Sequence, residues 1–168
     1  MKMVCANVAM RWWMLLKRKG SFVTFIIELL IFVTLDRITK IWAENANFSE
    51  ADSFGLVRFT LVHNQGAAFG IGQGKQGLFI VIAAVIFIII LLWLLIASRH
   101  GKLEVFSLGL LAAGAFGNVV DRVDYGYVVD FIDFTFIDFP VFNVADICVV
   151  VGVILFVVSI LFFSPQED

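Results

Sequence analysis

The chain has 168 residues, a formal net charge of -2 at pH 7 and 61% hydrophobic residues, with 19 phenylalanines. Soluble domains hold roughly 45 to 50% apolar residues, so this composition, with a mean hydropathy of +1.00, belongs in a bilayer. Near-neutral charge without a basic block argues against a nucleic-acid partner, and Cys5 and Cys148, far apart and outside any CxxC spacing, argue against a disulfide or a thiolate metal site.

One compact domain is expected. Segment 1–21 mixes Lys2, Arg11, Lys17, Arg18 and Lys19 with Trp12 and Trp13. Such a segment rests on the cytoplasmic membrane surface, drawn by anionic lipid. The apolar run "FVTFIIELLIFVTL" then opens a first predicted transmembrane helix over 22–42. Its continuation "DRITKIW" has no small-residue cleavage site, so a retained helix is expected rather than a removed signal peptide. This helix carries Glu28, Asp36, Arg37 and Lys40. Segment 43–76 starts with strand-like alternation from Leu56 to Val62 and breaks into the Gly/Ala stretch "HNQGAAFGIGQG". A small sheet leading into such a loop lets another backbone approach, with Asn64 placed to hydrogen-bond it; Asn64 and Gly66 also suit a simple turn.

The second predicted helix, 77–97, is uncharged, whereas the third, 104–122, has a moderate core and ends in Asn118, Asp121 and Arg122. Segment 123–141 contains the strand-like "YVVDFIDF", and the fourth helix, 142–163, opens on "FNVAD" before a long apolar run. The expected class is therefore an all-α integral membrane protein with four transmembrane helices and a small extracytoplasmic sheet between helices one and two. Lysine and arginine gather before helix one and in the "SRHGK" turn, which assigns both to the cytoplasm. Segments 43–76 and 123–141 then lie outside, and the tail 164–168 returns inside.

This topology brings polar helix ends to one membrane face: Asp36 and Lys40 at i,i+4, Asn118 and Arg122 at i,i+4, and Asn143 and Asp146 at i,i+3. Charges at helix ends also serve simply to mark the interface, which is an adequate reading for Arg37, Lys40 or Asp121 singly. Asp146, one turn inside an apolar helix, and Asp130, inside an apolar strand-like run, are different, because an idle carboxylate at membrane depth is costly. Asp124, Asp133 and Asp138 read as loop acids. Neither histidine has a convincing nucleophile nearby, and no HExxH or paired-cysteine pattern is present. Two acids sharing a proton remain: one activates water while the other protonates the substrate carbonyl, as in aspartic proteases. A transporter subunit is the rival class, favoured by Glu28 and opposed by the absence of titratable groups in helix two and the inner half of helix four.

The ordered set "LDRITK", "HNQGAAFG", "GNVVDR", "YVVDFIDF" and "FNVAD" resembles the lipoprotein signal peptidases, signal peptidase II, over about 22–163. The resemblance implies a membrane aspartyl endopeptidase of the bacterial cytoplasmic (inner) membrane, with both termini cytoplasmic. It would cut diacylglyceryl-modified prolipoproteins immediately before the lipidated cysteine. Asp130 and Asp146 would be the catalytic dyad. Asp36, Lys40, Asn64, Gly66, Asn118, Arg122 and Asn143 would support the site or contact substrate, with Asn64 and Arg122 on the peptide backbone and Asn118 and Asn143 orienting the acids. No metal, cofactor or nucleic acid is expected; the partners are the prolipoprotein and membrane lipid, and a monomer is expected. An intramembrane protease of another substrate class would share the two acids without requiring a lipid.

Overall fold

In the structure, a computed structural model of the chain, residues 2–48, 53–67, 71–96 and 101–163 are described, the side chains of 2–19 excepted. Residue 1 and the side chains of 2–19 expected at the membrane surface, the Arg99 turn, the tail 164–168 and residues 68–70 of the Gly/Ala stretch lie outside this description. Four helices and three strands run in the order α1 (Lys2–Asn45), β1 (Ser53–Phe54), β2 (Val57–Asn64), α2 (Gln76–Ile96), α3 (Lys102–Asp124), β3 (Val128–Phe134) and α4 (Val144–Phe163).

Among the described residues three helices are long and apolar enough to cross a membrane, namely α2, α3 and α4. α1 is not one of them, because its 22–42 stretch holds four charged residues. Those charges do not make it a surface helix. Val23, Ile27, Leu30, Ile31, Leu35, Ile38 and Ile41 form an exposed apolar stripe, while Phe25, Asp36, Lys40 and Ala43 are buried on the opposite side. The helix is thus oily outside and polar within.

α3 is the hub and packs against the other three helices. Without water to drive helices together, close van der Waals approach must do so, which favours small residues at the contacts. A Cβ on Gly114 would overlap the Ala145 carbonyl oxygen, and one on Gly117 would sit 2.5 Å from Asp36 Oδ2. Deeper in the bundle, Phe25, Ile90, Leu94, Val105, Leu108 and Ala112 form the apolar core between α1, α2 and α3.

The sheet has order β1-β2-β3, antiparallel throughout. Here the structure corrects the sequence reading: the sheet is not confined to the segment between the first two helices, since β3 comes from the α3–α4 connection. Asp133 is likewise no loop acid but a β3 residue, paired with Arg58 on β2 through Arg58 Nε at 3.0 Å. Trp42 packs edge-on against Phe48, Phe59 and Phe131, joining the end of α1 to the sheet. The far edge of β3 meets Phe142, two residues before α4: Phe131 N and Ile132 N donate to Phe142 O, and Phe142 N returns a bond to Ile132 O. That doubling back sets Asp130 beside the start of α4.

Candidate active site

Strand register delivers the first acid. Asp130 lies opposite Val62, and Asn64 is two residues further along β2, on the same face and diagonal to it. Asn64 Nδ2 accordingly donates to Asp130 Oδ2 at 2.8 Å, while Asn64 Oδ1 accepts from Gly66 N at 2.9 Å in a local turn. Each polar end of Asn64 thus has one partner within the chain, which leaves a second N–H and a second lone pair for another backbone.

The second acid is fixed by helix-start chemistry. Asn143 caps α4: its Oδ1 accepts from Asp146 N at 2.9 Å, and Asp146 Oδ2 accepts from Asn143 N at 3.1 Å, a reciprocal capping box. The positive end of the helix dipole suits a negative charge at this position. Asp146 Oδ1 accepts from Asn118 Nδ2 at 2.8 Å. With its Oδ1 committed to the cap, the Asn143 amide nitrogen points the other way, to Asp130 Oδ1 at 2.7 Å and Asn118 Oδ1 at 3.1 Å. One asparagine thus touches both acids.

A buried ionic cluster supports this pair. Lys40, 1% exposed, places its ammonium 3.0 Å from Asn118 Oδ1, 2.9 Å from Asp36 Oδ2 and 2.9 Å from Asp121 Oδ2. An ammonium only donates, so Lys40 forces Asn118 to present oxygen to it and nitrogen to Asp146. Asp36 Oδ1 accepts from Ala145 N at 2.9 Å, tying α1 to the first turn of α4. Asp121, which sequence reasoning left as an interface mark, also pairs with Arg37 at 2.6 Å and accepts from Val129 N at 3.2 Å, next to Asp130. Its position three residues after Asn118 on the same helix was the available signal.

Arg122 donates to Gly66 O at 3.0 Å and Asn118 O at 3.1 Å, and its guanidinium lies 4.9 Å over the Phe79 ring. Its Nε is buried without a hydrogen-bond partner among the described residues. All nine expected residues therefore fall within one connected constellation, with Gly66 contributing backbone atoms rather than open space. Burial, reinforced by the nearby Asp146 charge, pushes the Asp130 carboxyl up to about 7, against the opposing pull of Asn64, Asn143 and Lys40. A cavity of about 470 Å³ opens on Asp130, Asp146 and Arg122, walled by Ile147, Val150 and Val151 of α4. A carboxyl that holds a proton near neutrality, beside a second carboxyl at a helix start and open to an apolar cavity, is suited to acid–base catalysis.

A family model described as Signal peptidase (SPase) II matches residues 26–162. The chain belongs to the signal peptidase II family. A lipoprotein signal peptidase of Syntrophomonas wolfei is 39% identical over 165 residues, covering 95% of this chain and 98% of the relative. That of Clostridium tetani is 38% identical over 150 residues, covering 85% and 96%. A solved bacterial membrane enzyme structure, obtained by the in meso method at 2.3 Å resolution, superposes with a TM-score of 0.75 at 34% identity, over 86% of this chain and 93% of that one. This signal peptidase II family member is therefore a membrane-embedded peptidase of prolipoproteins.

Proposed function

We propose that the chain is an aspartyl endopeptidase that cuts diacylglyceryl-modified prolipoproteins immediately before the lipidated cysteine. The observation that carries this reading is Asn143, whose side chain donates to Asp130 while its backbone donates to Asp146. Asp146, at the helix start, is the ionised partner, and Asp130 holds the shared proton. Asp146 takes a proton from a water placed between the acids as that water attacks the scissile carbonyl carbon. Asp130 gives its proton to the carbonyl oxygen, forming a neutral tetrahedral diol. Collapse of the diol breaks the C–N bond; the proton on Asp146 passes to the cysteine nitrogen, and a hydroxyl proton returns to Asp130. Asn64, Asn118 and Asn143 orient the acids, Lys40 and Asp36 orient the asparagines and the α4 start, and the free Nε of Arg122 receives a substrate carbonyl.

In this reading α1 is a fourth crossing, supported by its apolar outward stripe and inward charges. Residues 1–21 lie at the cytoplasmic interface, 22–163 form the peptidase and 164–168 a cytoplasmic tail. Both termini face the cytoplasm, the sheet faces outward from the bacterial inner membrane, and one copy suffices. The signal helix and the acyl chains enter from the bilayer along the Ile147, Val150 and Val151 wall.

Purified protein in lipid, given a diacylglyceryl-modified prolipoprotein and its unlipidated twin, tests the proposal. Wild type should cut only the modified protein, before its cysteine, and Asp130→Asn and Asp146→Asn should each lose at least about 10²- to 10⁴-fold in rate. Near-normal turnover by both variants would sink the dyad, and equal cutting of both substrates would sink the lipid requirement.

A further inference from the structure

A second cavity, of about 430 Å³, adjoins the first. The two share Asn64, Ala67, Asp130, Phe139, Pro140 and Val141, so they form one groove that bends at the Asp130 carboxyl. Their far ends differ in character. The first runs down the apolar wall of α4, whereas the second runs over the sheet side past His63, Gln65, Gln73 and Asp138. Resting on the proposed function, the chemistry of the substrate fixes which end takes which part. The signal helix and diacylglyceryl group are lipid-soluble and occupy the α4 end. The mature chain beyond the cysteine is destined for water and must leave along the sheet side.

Charge along the second cavity is one-sided. Among the described residues no lysine or arginine lines it, and His63 has its Nε2 2.9 Å from Glu44 Oε1, so any charge it gains is met there. Asp138 is exposed and forms no ion pair among the described residues. It lies between Ile137 and Phe139, both exposed, in the connection from β3 to α4. We propose that this sheet-side cavity is the subsite for the residues immediately after the lipidated cysteine, and that Asp138 makes it reject acidic residues there and favour basic ones. Asp138 is thus a specificity residue that acts on the departing mature chain. A like charge meeting it a few ångströms away at a solvent-open site is unfavourable by roughly 1 kcal/mol or more, equivalent to about five- to tenfold in relative rate.

The experiment uses three diacylglyceryl peptides that differ only in the two residues after cysteine, Lys-Lys, Gln-Gln or Glu-Glu, with the full chain in a zwitterionic lipid that adds no charge preference of its own. Wild type should cut the Lys-Lys peptide at least about fivefold more efficiently, by kcat/KM, than the Glu-Glu peptide. Asp138→Asn should bring that ratio close to unity and Asp138→Lys should invert it. A wild-type ratio near unity, or a ratio unchanged in both variants, overturns the proposal while leaving the peptidase reading intact. Failure to cut any of the three peptides overturns both.

Discussion

The most informative side chains are those whose partners remove any choice of orientation. Lys40 can only donate, so Asn118 has one amide orientation; the α4 cap fixes Asn143 in the same way, and the two acids inherit their geometry from these constraints. The raised Asp130 carboxyl gives this arrangement a pH signature. Between the ordinary value of 3.8 and about 7, the folded chain keeps a proton that the unfolded chain has released, so stability contributed by this group declines as pH rises through that window. Activity should change in step, with kcat/KM falling through about pH 7 as Asp130 loses the shared proton. Removing Asn64 deletes a donor that favours the ionised form, so Asn64→Ala should move the alkaline limb to higher pH. A pH–rate profile in which the limb stays fixed or moves down would contradict the assignment of the proton to Asp130. Asp130 and Asp146 were legible in the sequence as candidates, because a carboxylate inside an apolar run is costly unless it has a partner or a role. Asp121 was visible only as a polar helix end, because its partners Arg37, Lys40 and Val129 N converge only after three elements pack.

At the level of elements, the helices were readable from hydrophobic run length, and the expected limits of the second, third and fourth differ from the observed ones by one or two residues. The β3 strand was visible only as an apolar alternation around Asp130. Its pairing with β2 was not, since strand partners separated by some seventy residues leave no local mark. The contact of α3 with α4 likewise depends on residues that sequence reading passed over. Gly114 faces the Ala145 carbonyl, which belongs to the helix backbone and cannot swing aside, so Gly114→Ala must push α4 away. That substitution should destabilise by about 1 to 3 kcal/mol and misplace Asp146, lowering the unfolding temperature and the cleavage rate together. Gly109→Ala offers the contrast, because the nearest atom it meets, Glu28 Oε2 at 2.5 Å, ends a flexible side chain, and the next, Glu28 Cβ, lies at 3.1 Å. Its effect on unfolding should be the smaller of the two, and the reverse order in a thermal unfolding assay would contradict this account.

For the whole molecule, composition alone decided the solvent, but the orientation rests on lysine and arginine counts. Ser53 lies on the sheet and Lys102 at the opposite end of α3, and both are exposed. In intact cells, a membrane-impermeant thiol reagent should label Ser53→Cys and spare Lys102→Cys; the opposite pattern would invert the topology. For α1 the sequence predicts a crossing over 22–42 despite four charges, and Asp36 and Lys40 are found turned inward, bonded to α4 and α3.

The bond from Ala145 N to Asp36 Oδ1 joins residues 109 positions apart, one in the first helix and one in the last. A chain still emerging from the ribosome acquires Asp130 before Asp146, and neither is aligned until the fourth helix reaches the first. Under the proposed dyad, competence to cut therefore waits for α4 to join the bundle, and a chain that has made only the first three helices is inert.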